Sequence, residues 1–134
     1  MKLPYKTASD SLHRSRFSII LVNPQNQENI GLAARAMKNT GFSELRLVGV
    51  EKLEHEAFRP AVHANDILKK AIFYQNLPEA VADLNLVLAS TARQRKAFRV
   101  ITIDQAVEKI RLFPDHIRVG LVFGNERTGL SDLE

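Results

Sequence analysis

The segment Phe17-Ser18-Ile19-Ile20-Leu21-Val22 restricts the fold of this chain more than any other feature, because it is apolar at nearly every position. A strand with one wetted face alternates between apolar and polar residues. A run that is apolar throughout has to be covered on both sides. Four further segments read as strands: Leu45-Arg46-Leu47-Val48, Ile72-Phe73-Tyr74, Leu84-Asn85-Leu86-Val87-Leu88-Ala89, and Arg118 to Phe123. Helical signals fall between them. The first spans about Asn29 to Asn39, with Gly41 placed for a left-handed C-terminal cap. Ala61 to Lys70, Pro78 to Asp83 with proline in the first turn, and Asp104 to Arg111 before Pro114 complete the set. Such an alternation predicts an α/β fold, a mostly parallel sheet with helices on both faces.

With 134 residues and no internal repeat or linker, the chain reads as one domain, residues 16–134, preceded by a tail at 1–15. Cysteine is absent, which excludes disulfides, thiolate metal sites and cysteine nucleophiles. His13, His55, His63 and His116 are scattered without ligand spacing, so no metal is expected. Met1 to Arg16 is polar and lacks a signal-peptide core, and no apolar run approaches membrane-spanning length. A cytoplasmic protein is the default. The 19 Lys and Arg against 15 Asp and Glu leave a charge of +4, compatible with a polyanionic partner. The loop after the first strand, Asn23-Pro24-Gln25-Asn26-Gln27-Glu28, lacks the glycine fingerprint of dinucleotide-binding oxidoreductases.

Two segments carry chemistry. The first is Asn29-Ile30-Gly31-Leu32-Ala33-Ala34-Arg35-Ala36-Met37 and the residues up to Gly41. On a helix, Ile30, Ala33, Ala34 and Met37 share one face, and Arg35 points about 140° from Ile30. Small residues at 31, 33, 34 and 36 permit close approach of neighbouring elements. Asn29 is expected to cap the helix N-terminus, where free amides favour anions. On periodicity alone, Asn29 could be only a cap and Arg35 only a solvated charge.

The second segment is Leu121-Val122-Phe123-Gly124-Asn125-Glu126-Arg127-Thr128-Gly129-Leu130. A glycine at the C-terminal end of a parallel strand lets a ligand approach the backbone, and Glu126 would stand beside that crevice. A turn glycine next to a surface glutamate explains the same residues. Between the two segments, Ala89-Ser90-Thr91-Ala92-Arg93-Gln94-Arg95-Lys96 offers hydroxyls, amides and positive charge, suited to a small ligand or to phosphates and equally to a solvated loop.

In this order the two segments resemble the first two motifs of the SpoU-type RNA ribose 2′-O-methyltransferases of the SPOUT superfamily. The Ser90 to Lys96 string is similar to the tRNA cytidine/uridine 2′-O-methyltransferase (TrmJ-like) branch. The resemblance implies an α/β knot fold and methyl transfer from S-adenosyl-L-methionine to a ribose of tRNA or rRNA, by a homodimer. It implies Arg35, Asn29 and Glu126 as catalytic residues. Ser90, Thr91, Ala92 and Gly124 would contact the cofactor, and Arg35, Arg93, Arg95 and Lys96 the RNA. His63 to Leu68 also looks branch-like and reads as structural.

A third motif follows downstream in that family. Here Ser131-Asp132-Leu133-Glu134 has the pattern of a capping box and then the sequence stops. The expectation is the front portion of a longer enzyme, lacking the C-terminal knot segment and inactive alone. The alternative is a short non-catalytic RNA-binding or interaction module.

Overall fold

The computed structural model describes residues 14–90 and 101–130. A 3₁₀ turn at Arg14–Arg16 leads into β1 (Phe17–Val22), followed by α1 (Gln27–Thr40) and β2 (Glu44–Val48). Next come α2 (His55–Ala61), a 3₁₀ turn (Val62–Ala64), α3 (Asn65–Lys69), β3 (Ile72–Tyr74) and α4 (Leu77–Val81). The chain continues through β4 (Leu86–Ala89) and α5 (Ile103–Arg111) to β5 (Val119–Phe123). All strand pairs are parallel, in the order β3-β2-β1-β5-β4.

The α/β expectation with a parallel sheet holds, and the burial of β1 explains it. Ile19 joins Leu45 and Leu47 beneath α1, α2 and α3, in a core with Ile30, Ala34, Met37 and Ile67. Ile20, Val22, Val48 and Val122 point to the other face, where Ala80 of α4 and Leu84 cover them. On the first face, Ile110 of α5 packs with Phe17 and Val119. The steps from β1 to β2 and β2 to β3 use helices on one face. The return from β3 to β4 uses α4 on the other, which keeps the parallel crossovers of one hand.

Close packing of α1 on α2 requires Gly31. A Cβ there would collide with the Ala57 carbonyl and lie 2.8 Å from the Pro60 ring. Gly31 and Ala34 are thus the small residues that admit a neighbour, whereas Ala33 is half-buried and Ala36 exposed. The expected helix over Ala61 to Lys70 is corrected to an earlier and broken path. It starts at His55, carries Pro60 inside, and breaks at Val62, whose φ of 57° is a left-handed backbone unusual for a β-branched residue. Among the described residues, no helix is long and apolar enough to cross a membrane, and no cluster of metal-ligating side chains occurs.

One charge is buried in this frame. Arg46 on β2 is 2% exposed, under α4, and its guanidinium bonds the Ala80 carbonyl at 2.6 Å and both Asp83 oxygens at 2.7 and 3.0 Å. Glu44 accepts from Arg46 at 2.9 Å and from Arg118 at 3.3 Å, and also receives the Ser18 hydroxyl. The Arg46 hydrogen bonds hold the Asp83 carboxyl below its usual range and push the Arg46 guanidinium further up. A carboxyl depressed in the folded state contributes stability above its unfolded pKa and loses it as pH falls through the folded value. Asp83 is half-exposed, which screens the pair, so Asp83→Asn should cost about 1–2 kcal/mol at pH 7. Urea denaturation at pH 7 and pH 3 checks this: the deficit should shrink at pH 3, and an equal deficit at both would contradict it.

Candidate active site

In open parallel sheets, loops at the C-terminal ends of the strands form the ligand crevice. Here β1 and β5 are sheet neighbours although they lie at opposite ends of the described sequence, and their C-terminal loops meet. The Glu126 carboxylate accepts from the Gln25 backbone amide at 2.7 Å. Asn125 Nδ2 donates to the Asn23 carbonyl at 2.8 Å. The other end of the Asn125 amide accepts from the Arg127 and Thr128 amides at 2.8 and 3.1 Å, which shapes the turn that presents Glu126. Asn23 in turn donates its backbone amide to the Val48 carbonyl at 2.9 Å. The ends of β2, β1 and β5 are therefore tied in series.

Asn23 has a left-handed backbone, φ 48°, and its side-chain oxygen lies where a Cβ on Gly49 would be. Gly49, at φ 78°, is accordingly closed to a side chain on two grounds. Gly124 has a local reason as well. A Cβ there would stand 2.5 Å from Gly129 C and Leu130 N, so the residue lets the β5 turn fold back on itself. That close backbone packing explains the glycine without a ligand beside it.

The cap of α1 is a correction. Asn26, not Asn29, is the N-cap: its side chain accepts from the Asn29 amide at 2.9 Å. Asn29 sits one turn inside, half-buried, with its side chain available for another purpose. Gly41 closes the helix as expected, with φ 91° and its amide on the Met37 carbonyl at 2.9 Å.

The Gln25–Glu126 bond ties the Glu126 turn to the loop that leads into α1, whose first turn carries Asn29. Arg35 lies further along α1, about 9 Å down the helix axis from Asn29 at the usual rise per residue. It is exposed. On the wheel it shares the flank of Gly31 and Lys38, which face Pro60 and Asp66. Ser90 is exposed at the end of β4, where its amide donates to the Val122 carbonyl at 2.8 Å, next to the start of the Gly124 turn. Thr91, Ala92, Arg93, Arg95 and Lys96, together with the capping-box pattern at Ser131 to Glu134, lie outside the described residues.

A family model described as the SpoU rRNA methylase family matches residues 16–134. The chain belongs to this family. It is 43% identical over 122 residues to the tRNA (cytidine-2′-O-)-methyltransferase TrmJ of Methanocaldococcus jannaschii, covering 87% of this chain and 52% of that protein. The crystal structure of TrmJ from Z. mobilis superposes with a TM-score of 0.79 at 42% identity, over 86% of this chain and 52% of that one. A probable methylase family protein from Haemophilus influenzae gives a TM-score of 0.80 at 28% identity, over 90% of this chain and 51% of that one. The SpoU, TrmJ-like resemblance and the SPOUT-type α/β fold are thereby established. The chain spans about half the length of these relatives.

Asn23, Gln25, Asn26 and Asn125, which shape and join these loops, were not singled out by sequence reasoning. The available signal was the polar cluster Asn23 to Asn26 directly after a buried strand, where side chains must replace the strand's lost partners. Glu126→Ala should free the Gln25 amide while leaving the sheet intact. Amide hydrogen exchange is expected to show about tenfold faster exchange at Gln25 and unchanged rates at Ile19 and Ile20. Unchanged exchange at Gln25 would refute the clasp.

Proposed function

We propose that this protein transfers a methyl group from S-adenosyl-L-methionine to a ribose 2′-hydroxyl of tRNA. The observation that carries this reading is the joining of the two motif-bearing loops: Glu126 holds the Gln25 amide at the entrance to the helix that bears Asn29 and Arg35. The 43% identity to a protein named as a tRNA cytidine 2′-O-methyltransferase supports the same reaction and substrate. Residues 16–134 form part of the methyltransferase domain in this reading, and residues 1–15 a tail.

S-adenosyl-L-methionine supplies, when bound, a methyl group on a sulfonium sulfur. Ser90 and Gly124 stand at the ends of adjacent strands, with an exposed hydroxyl and backbone groups suited to such a ligand. Thr91 and Ala92 complete the cofactor contacts in this proposal, and Arg93, Arg95 and Lys96 meet RNA phosphates. The ribose hydroxyl becomes a competent nucleophile as its proton passes to solvent water. Arg35 does not take that proton, because a guanidinium stays protonated. It holds the neighbouring phosphate and stabilises the developing alkoxide charge. Asn29 orients the ribose from the first turn of α1. Glu126 positions the loop through Gln25. A cytoplasmic homodimer completes the reading.

Purified enzyme, tRNA and isotopically labelled S-adenosyl-L-methionine test the assignment, with mass spectrometry of nuclease digests locating the label on a ribose. Arg35→Lys should lower turnover by about 100-fold, since the planar fork is lost although the charge is kept. Near-normal turnover by that variant would defeat the role given to Arg35.

A further inference from the structure

Gln25, whose amide Glu126 holds, also lines an open cavity of about 400 Å³ at the C-terminal ends of β1 and β2. That volume lies within the range of small-ligand pockets. Pro24 and Val50 give the cavity its accessible aliphatic surface, with Ile30 buried behind it, and Asn26, Glu51 and Lys52 contribute a polar rim. The loops around it are joined. The Gln27 side-chain amide donates to the Lys52 carbonyl at 3.1 Å and accepts from the Glu54 amide at 2.7 Å, so both of its ends clamp the loop after β2 onto the first turn of α1. On the sheet side, Gly49 packs directly on the Asn23 side chain. These contacts tie the backbone of the two loops together, which lowers the cost of ordering them on binding.

The rim's charge selects the ligand. Glu51 and Glu54 contribute two carboxylates against the single ammonium of Lys52. The Gln25 amide is already committed to Glu126, and the Asn29 amide to Asn26. A phosphate would meet net negative charge with these donors spent. A neutral, flat heterocycle bearing N–H donors meets aliphatic walls and carboxylate acceptors, and unpaired nucleobases of single-stranded RNA are such groups. We propose that this cavity is a nucleobase subsite, which takes an unpaired base flanking the ribose addressed by Asn29 and Arg35. The proposal rests on the methyl-transfer reading for the identity of the polymer, and the shared Gln25 loop links the cavity to that centre.

A titration of ¹⁵N-labelled protein with cytidine, uridine, adenosine, guanosine and, separately, inorganic phosphate tests it by amide chemical shifts. At least one nucleoside should shift Gly49, Val50 and Lys52 saturably, with a dissociation constant of about a millimolar, and phosphate should not. Glu51→Lys, at an exposed position, replaces an acceptor at the mouth with an ammonium and should weaken nucleoside binding at least about tenfold. Glu51→Gln should preserve the fold and weaken it less. Absence of saturable shifts, equal shifts with phosphate, or undiminished binding by Glu51→Lys would each overturn the subsite. No methyl donor is present in this titration. Absent nucleoside binding with intact methyl transfer therefore sinks the subsite alone, and binding without methyl transfer sinks the catalytic reading alone.

Discussion

One hydrogen bond, from the Gln25 amide to the Glu126 carboxylate at 2.7 Å, joins two distant stretches of sequence at one edge of the sheet. A parallel sheet delivers every strand's C-terminal loop to the same edge, yet it does not by itself fix those loops to one another. The carboxylate does so here, joined by Asn125 on the Asn23 carbonyl. A charged acceptor forms one of the stronger hydrogen bonds available to a protein. This bond lies at the entrance to α1, two residues before the helix begins, and the Asn26 cap and the packed Ile30–Ala34–Met37 face fix the helix itself.

The sheet beneath is built to hold that edge still. β1 is buried on both faces and paired on both sides, so its end has little freedom. Gly31 lets α1 sit directly against α2, and the Gln27 clamp carries this docking to the loop after β2. Arg46 plays the corresponding part at the other face. It anchors the end of α4 with a fully engaged guanidinium, at a position where an unpaired charge would be costly.

Much of the architecture was legible in the residues. The strands Phe17–Val22 and Ile72–Tyr74 match their expected limits, because β-branched and aromatic runs bounded by turn residues leave little choice. The Gly41 cap and the proline at the start of α4 were readable for the same local reason. The break at Val62 was not, since its left-handed backbone is imposed by tertiary packing and contradicts the preference of valine. The N-cap was misplaced by three residues because Asn26 and Asn29 are chemically identical candidates, and only the path of the loop chooses between them. Family resemblance singled out Glu126 in the sequence. Its hydrogen bond to Gln25 was not legible, because a partner 101 positions away leaves no local trace.

The most direct test of the account is a map of ribose 2′-O-methyl marks across total tRNA from cells with and without the gene for this protein. The account predicts that marks at one or a few tRNA positions vanish on deletion, return with the wild-type gene, and stay absent with an Arg35→Ala copy. An unchanged map, or full restoration by Arg35→Ala, would contradict it.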